Sequence, residues 1–140
     1  MFEHRRDLTI EWGDCDPAGI VFFPRYLAIF DSSTWSLFTA ALGMRKRDLL
    51  ARFGTVGAPM VDLRVRFLIP CTYGDEVVVE SRVAELRRSS FDVRHRLLKD
   101  DQLAVEGLET RVWSAIDPDR PGRLRSQPIP AEIRVRLEAG

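Results

Sequence analysis

The chain has 140 residues, 45% hydrophobic and 30% charged, a length and balance that suit one globular domain over residues 1–140 and argue against a disordered or multidomain chain. Lys plus Arg (21) equals Asp plus Glu (21), so no overall positive field holds a nucleic-acid backbone or an anionic membrane, and an anionic ligand needs a local patch. With only Cys15 and Cys71, no leader-like start and no apolar run near the roughly 20 residues of a membrane span, the expectation is a cytoplasmic protein without a disulfide framework.

Residues Phe2 to Trp12 close on Leu8-Thr9-Ile10-Glu11-Trp12, whose alternation predicts a half-buried strand. Gly13-Asp14-Cys15-Asp16-Pro17-Ala18-Gly19 is dense in turn formers, and Pro17 keeps Asp16 out of the helical region, so a shaped loop should follow. From Phe23 or Pro24 to Leu42, Tyr26, Leu27, Phe30, Leu37, Phe38 and Ala41 recur at helical spacings, with Pro24 suited to the first turn and Gly43 to the stop. Few charges interrupt this stretch, chiefly Arg25 and Asp31, so the helix is expected to be central and covered on most sides. Arg45 to Phe53 predicts a short second helix closed by Gly54.

The period then changes to two. Val61, Leu63, Val65, Phe67 and Ile69 alternate with Asp62, Arg64 and Arg66, and further strands are predicted at Glu76 to Leu86, Ser90 to Leu98 and Leu103 to Ile116, the last two joined by a tight turn at Asp100-Asp101. Strand, helix and four strands in a meander make an α+β two-layer domain with the helix against an antiparallel sheet. Residues 117–140 read as a Pro-rich connector followed by a short helix at Ala131 to Glu138.

Two histidines, His4 and His95, are too few for a His-rich metal site, so carboxylates lead the candidates for chemistry. Asp14 and Asp16 have two readings. They can cap turns, as Asp often does, or Asp16 can be a nucleophile or base, since a carbonyl beside it would face the unpaired N–H groups at the start of the helix. Cys15 has no evident partner and reads as a small inert residue, and Pro17-Ala18-Gly19-Ile20 supplies no ligands for a metal loop, so no metal is expected. Arg87-Arg88-Ser89-Ser90 lies between two strands, either as a solvated turn or as a grip for phosphate. His95 is in phase with Phe91, Val93 and Leu97 and reads as packed, and Trp35, Phe22, Phe23, Tyr26 and Phe30 read as core with an aryl pocket as the alternative.

The loop Gly13 to Val21, the pair Phe22-Phe23 and Pro24-Arg25-Tyr26 opening a long helix resemble the hotdog-fold acyl-CoA thioesterases, most closely the 4-hydroxybenzoyl-CoA thioesterase branch. Gly57 to Val61, Tyr73-Gly74-Asp75, Arg87 to Phe91 and Glu109 to Trp113 extend the resemblance over most of the chain. It implies a long central helix wrapped by a five-stranded antiparallel sheet, hydrolysis of a CoA thioester with CoA as part of the substrate and no separate cofactor, and a homotetramer built as a dimer of dimers.

It also implies roles for residues. Asp16 matches the catalytic aspartate and the backbone N–H of Phe23 the oxyanion donor. Arg87 and Arg88 match phosphate-gripping positions, and Ser89 stands where the branch carries lysine. Asp31 and Ala58 match pocket positions, Asp31 as a contact for a substrate hydroxyl or as an interface residue. A second hotdog branch uses a glutamate on the helix, but this chain has none between Glu11 and Glu76. Residues around Phe22, Ala58 and Met60 can alter the acyl group, which leaves a short-chain or branched acyl-CoA thioesterase as one alternative and a non-catalytic acyl-CoA-binding module as another.

Overall fold

A computed structural model describes residues 1–140. The strands β1 (Glu3–Thr9), β2 (Met60–Phe67), β3 (Glu76–Leu86), β4 (Ser90–Lys99) and β5 (Gln102–Val112) form one antiparallel sheet in the order β1-β3-β4-β5-β2. Helix α1 (Pro24–Leu42) lies across its inner face, with α2 (Lys46–Phe53) after it and α3 (Ala131–Glu138) at the end of the chain. Two short strands, β6 (Ser114–Ile116) and β7 (Leu124–Ser126), pair with each other.

Local sequence explains the ends of α1. Pro24 sits in the first turn, where its missing N–H costs nothing, and Gly43 takes φ 68° so that its N–H can bond Thr39 O. Period-two alternation explains the inner face, on which Val77, Val79 and Val83 of β3, and Phe91, Val93 and Leu97 of β4, are buried against the helix. Each large apolar side chain buried in this way contributes about 1.5–3 kcal/mol.

The core has two apolar halves. One gathers Ile10, Tyr26, Phe30, Val79, Leu97 and Val105 near the start of α1, and the other Trp35, Phe38, Phe91, Trp113, Ile133 and Leu137 near its end. Between them lies a buried polar level, because α1 contributes Thr34 there, β3 Ser81, β4 His95 and β5 Glu109. Ser81 faces His95, and His95 faces Gly107, in the sheet register. Phe30 stacks on His95 with centroids 4.8 Å apart, and a Cβ at Gly107 would come within 2.8 Å of the Phe30 ring, so only glycine lets the helix approach this closely.

Several expectations change. Strand β1 stops at Thr9, and Trp12 instead belongs to a short 3-10 turn, Trp12–Asp14, with Asp14 Oδ2 accepting the Glu11 N–H at 2.9 Å. The four later strands are not a meander: β3-β4-β5 is one, but β2 crosses over to pair with the far edge of β5. The strand predicted to run to Ile116 breaks at Trp113, whose N–H turns to Ser89 O at 2.7 Å while Gln127 N–H bonds its carbonyl. That capture brings residues 124–126 alongside, so the expected connector contains a strand. Helix α1 is covered on one side only, with Asp31, Ser32, Thr39 and Ala40 exposed, because a single curved sheet reaches one face. No helix is long and apolar enough to cross a membrane.

Candidate active site

Residues 15–21 close into a miniature hairpin. Asp16 N–H bonds Ile20 O, Gly19 N–H bonds Asp16 O, both at 2.9 Å, and Cys15 bridges Val21. Pro17 presets the turn and Gly19 takes φ 83°, the left-handed residue that a three-residue hairpin loop needs. The Asp16 carboxylate caps this turn, Oδ1 accepting the Ala18 N–H at 2.8 Å. Oδ2 receives no hydrogen bond from the chain, and the residue is half-buried.

The second strand of the hairpin leads directly into α1. Val21 N–H bonds Cys71 O at 2.9 Å and Ile20 bridges Thr72, which fastens the hairpin to the segment before β3, while Phe22 N–H returns to Asp14 O at 2.8 Å. Phe23 already has helical torsions, φ −50° and ψ −36°, and its carbonyl accepts Tyr26 N–H. Its own N–H has no acceptor in the chain and points from the positive end of a helix of 19 residues. Such a donor can bind a developing oxyanion, and a carboxylate with an unused oxygen can attack a carbonyl or take a proton from water. The cap and the reactive readings of Asp16 are therefore compatible, since they use different oxygens.

Apolar side chains crowd this corner in the open. Trp12 (73% exposed) stands edge-on to Tyr73, and Phe23 (57%) lies between Phe22 and Phe67. Exposed aromatics in such number mark a contact surface. A cavity of 240 Å³ opens here, lined by Ile20, Phe23, Tyr26, Phe67 and Pro70 among others. Below it, Tyr26 Oη accepts the Cys71 N–H at 3.1 Å, and burial pushes the tyrosine hydroxyl pKa up, so it stays protonated.

Arg87, Arg88 and Ser89 do not join Asp16 in one chain. They follow β3, whose 11 residues separate them from the hairpin corner by roughly 30 Å. Arg87 is already committed: its guanidinium forks onto Asp92 at 3.1 and 2.5 Å and meets Glu85 at 3.0 Å; Asp92 and Glu85 raise its pKa, and Arg87, with the Thr110 hydroxyl, holds that of Asp92 down. Arg88 is exposed and makes no ion pair, while its carbonyl accepts Ile129 N–H and that of Ser89 accepts Trp113 N–H. Of the expected pair, Arg88 alone presents a free guanidinium.

Asp31 and Ala58 do come together, through residues that the sequence reading left unassigned. Asp31 Oδ1 accepts from Arg111 at 2.7 Å, and Ala58 O accepts from the same guanidinium at 3.1 Å. Both line a cavity of 320 Å³ with Trp35, Lys46 and Gly57, while a larger groove of 560 Å³ follows the open face of α1 past Asp31. Arg111 in turn forks onto Glu109 at 2.9 and 3.2 Å. Glu109 also accepts from Thr34, and His95 Nε2 lies 3.3 Å away, with Ser81 Oγ 2.7 Å from Nδ1. Because the Thr34 hydroxyl is used as a donor to Glu109, its oxygen is left to accept from His95 Nε2, while Nδ1 pairs with Ser81 Oγ. Burial alone would raise the Glu109 pKa, but hydrogen bonds from His95 and Arg111 outweigh it and hold the carboxyl below its ordinary 4.5. The signal for Glu109 and Arg111 was their phase: both alternate in step with buried Val105 and Gly107.

The family model of the thioesterase-like superfamily matches residues 10–137. The 4-hydroxybenzoyl-CoA thioesterase of Pseudomonas sp. (strain CBS-3) is 35% identical over 128 residues, 88% of this chain and 89% of that one. Its solved structure superposes with a TM-score of 0.89 at 31% identity, covering 97% of this chain and 99% of the other. A 1,4-dihydroxy-2-naphthoyl-CoA hydrolase of Synechococcus elongatus is 30% identical over 102 residues, 73% of this chain and 74% of its own. A solved gentisyl-coenzyme A thioesterase matches with a TM-score of 0.83 at 28% identity, over 96% and 99% of the two chains.

Proposed function

Since this chain belongs to the thioesterase-like superfamily and is a thioester hydrolase of the hotdog fold, we propose that it cleaves an aryl-CoA thioester such as 4-hydroxybenzoyl-CoA to the free acid and CoA. One observation carries the catalytic reading: a single hairpin leads from the Asp16 carboxylate, with its unused Oδ2, to the unpaired N–H of Phe23 at the start of α1. The relatives named above support the aryl class, since all three act on hydroxylated aryl-CoA thioesters by name.

In this mechanism the thioester oxygen accepts a hydrogen bond from Phe23 N–H, and the positive end of α1 favours the charge that develops on it. Asp16 either attacks the carbonyl carbon or takes a proton from a water that attacks it. On the first route the C–S bond breaks as the acyl–Asp16 anhydride forms, the CoA thiolate leaves and is protonated by solvent, and water then hydrolyses the anhydride. Asp31 lies seven residues beyond Pro24, about 10 Å along α1 and nearly on the same face. That spacing suits a ring hydroxyl held at one end while the carbonyl is held at the other.

Arg88 and Ser89 bind the CoA phosphates of a site in a partner subunit, because their own Asp16 is roughly 30 Å distant. The assembly is a homotetramer, a dimer of dimers, in the cytoplasm. The open face of α1 and edge strand β2, with Val61 and Phe67 exposed, supply surface for it. A second reading, a short-chain or branched acyl-CoA thioesterase, is favoured by the 240 Å³ cavity beside Phe23, whose lining is almost wholly apolar. The deciding experiment is free-thiol release by purified protein over aryl-CoA and short alkyl-CoA thioesters, with Asp16→Asn as control. Faster Asp16-dependent release from aryl substrates is expected. Faster release from alkyl thioesters would favour the second reading, and CoA binding without any release would indicate a binding module.

A further inference from the structure

We propose that Arg111 is a positioning residue for substrate selection: it clamps one oxygen of Asp31 from inside the fold so that the other is presented to a hydroxyl on the acyl group. The inference rests on the aryl-CoA reading above and deepens it.

Asp31 by itself is a poor recognition group. Its side chain is 54% exposed on the open face of α1, where a lone carboxylate would change rotamer freely. Arg111 removes that freedom. Its side chain is only 4% exposed, and three of its sides are fixed: Nε and one terminal nitrogen donate to Glu109, the second N–H of that same terminal nitrogen donates to Asp31 Oδ1 at 2.7 Å, and the other terminal nitrogen donates to Ala58 O. The guanidinium is anchored because Glu109 is anchored, by Thr34 and by His95, itself held by Ser81 on β3. Every polar side-chain atom buried in this level has a partner. The geometry therefore runs from the middle of the sheet to one exposed oxygen at the mouth of the 320 Å³ cavity.

Charge decides what that oxygen accepts. One guanidinium, Arg111, is shared by two carboxylates, Glu109 and Asp31, so the outer oxygen of Asp31 favours a neutral donor, such as a phenolic hydroxyl, over an acyl group carrying a further carboxylate. A site built to accept a hydroxyl discriminates against the analogue without it, because the carboxylate is then left without its donor.

The test compares kcat/KM for 4-hydroxybenzoyl-CoA and benzoyl-CoA in the wild type, Asp31→Asn, Arg111→Lys and the double variant. Wild type is expected to prefer the hydroxylated substrate, and Arg111→Lys, which keeps the charge but loses the fork, to reduce that preference by about tenfold. Asp31→Asn should reduce it similarly, and the double variant no further, since both changes break one contact. A merely structural Arg111 would lower both substrates together and leave their ratio unmoved, which would overturn the inference. Asp31→Asn, at an exposed position, keeps the test open should Arg111→Lys not fold: an unchanged ratio there overturns it equally. Wild-type turnover of both substrates without preference sinks this inference alone, whereas turnover of neither sinks the aryl-CoA reading with it.

Discussion

Asp16 and Glu109 are both carboxylates serving helix α1, and the fold treats them in opposite ways. Glu109 is fully buried and accepts from Thr34 and Arg111, with His95 Nε2 at 3.3 Å. Asp16 is half-buried and accepts one hydrogen bond, from Ala18, leaving Oδ2 open beside a helix terminus. The buried level has its polar capacity filled from within the chain, so its charges hold the structure together. The hairpin corner keeps capacity unfilled, on Asp16 Oδ2 and on Phe23 N–H, and an unfilled acceptor and donor are what a reacting substrate can use. The residue with the more elaborate electrostatic surroundings is therefore the structural one, and for Glu109 a displaced titration reports anchoring.

Breaking either side of this contrast should give different signatures. Asp16→Asn is expected to lower kcat by about 10²–10⁴-fold with little change in the unfolding midpoint, measured by thiol release and thermal melting. A loss of stability without loss of turnover would reverse its assignment. Glu109→Ala should leave buried Arg111 with the exposed Asp31 as its one remaining counter-charge and cost up to about 3–5 kcal/mol in denaturant unfolding. Its pH dependence has a definite sign. The folded carboxyl titrates below its ordinary value of 4.5, so its contribution is complete above that value and is lost as pH falls through the lower folded value. Wild-type and variant urea midpoints should then converge in acid and stay apart at neutral pH.

Smaller changes sharpen the comparison. Gly107→Ala sets a Cβ 2.8–2.9 Å from two Phe30 ring atoms, and with the ring stacked on His95 the overpacking should cost about 1–3 kcal/mol in thermal unfolding. Phe30→Leu in the same chain should recover part of it. Arg88→Ala is expected to raise the KM for CoA thioesters by roughly two- to fivefold, with kcat unchanged and the difference fading in high salt. Arg87→Ala should instead lower stability, because its guanidinium is held by Asp92 and Glu85. A larger KM effect from Arg87 than from Arg88 would show that the ion pair opens to receive substrate.

Much of the molecule was readable from residues alone. Helix α1 begins at Pro24 and stops before Gly43, α2 ends before Gly54, and the turn at Asp100-Asp101 takes positive φ at both residues. The Asp16 loop was equally legible, because Pro17 and Gly19 dictate its shape within a few residues and the surrounding motif carries the family resemblance. These features depend on steric and hydrogen-bonding rules that act over three or four positions, so they are written locally.

Tertiary structure decided the rest. Pairing of β2 with β5, the break at Trp113 and the retention of Arg87 by Asp92 each depend on which segments become neighbours. So does the contact between Arg111 and Asp31, which spans 80 positions of sequence. The alternation of β5 tells that Glu109 and Arg111 point inward, but not that Thr34 and His95 arrive at the same level to receive them. A buried charge is tolerated only where partners from other elements converge, and that convergence is a property of register and packing, which no local pattern contains.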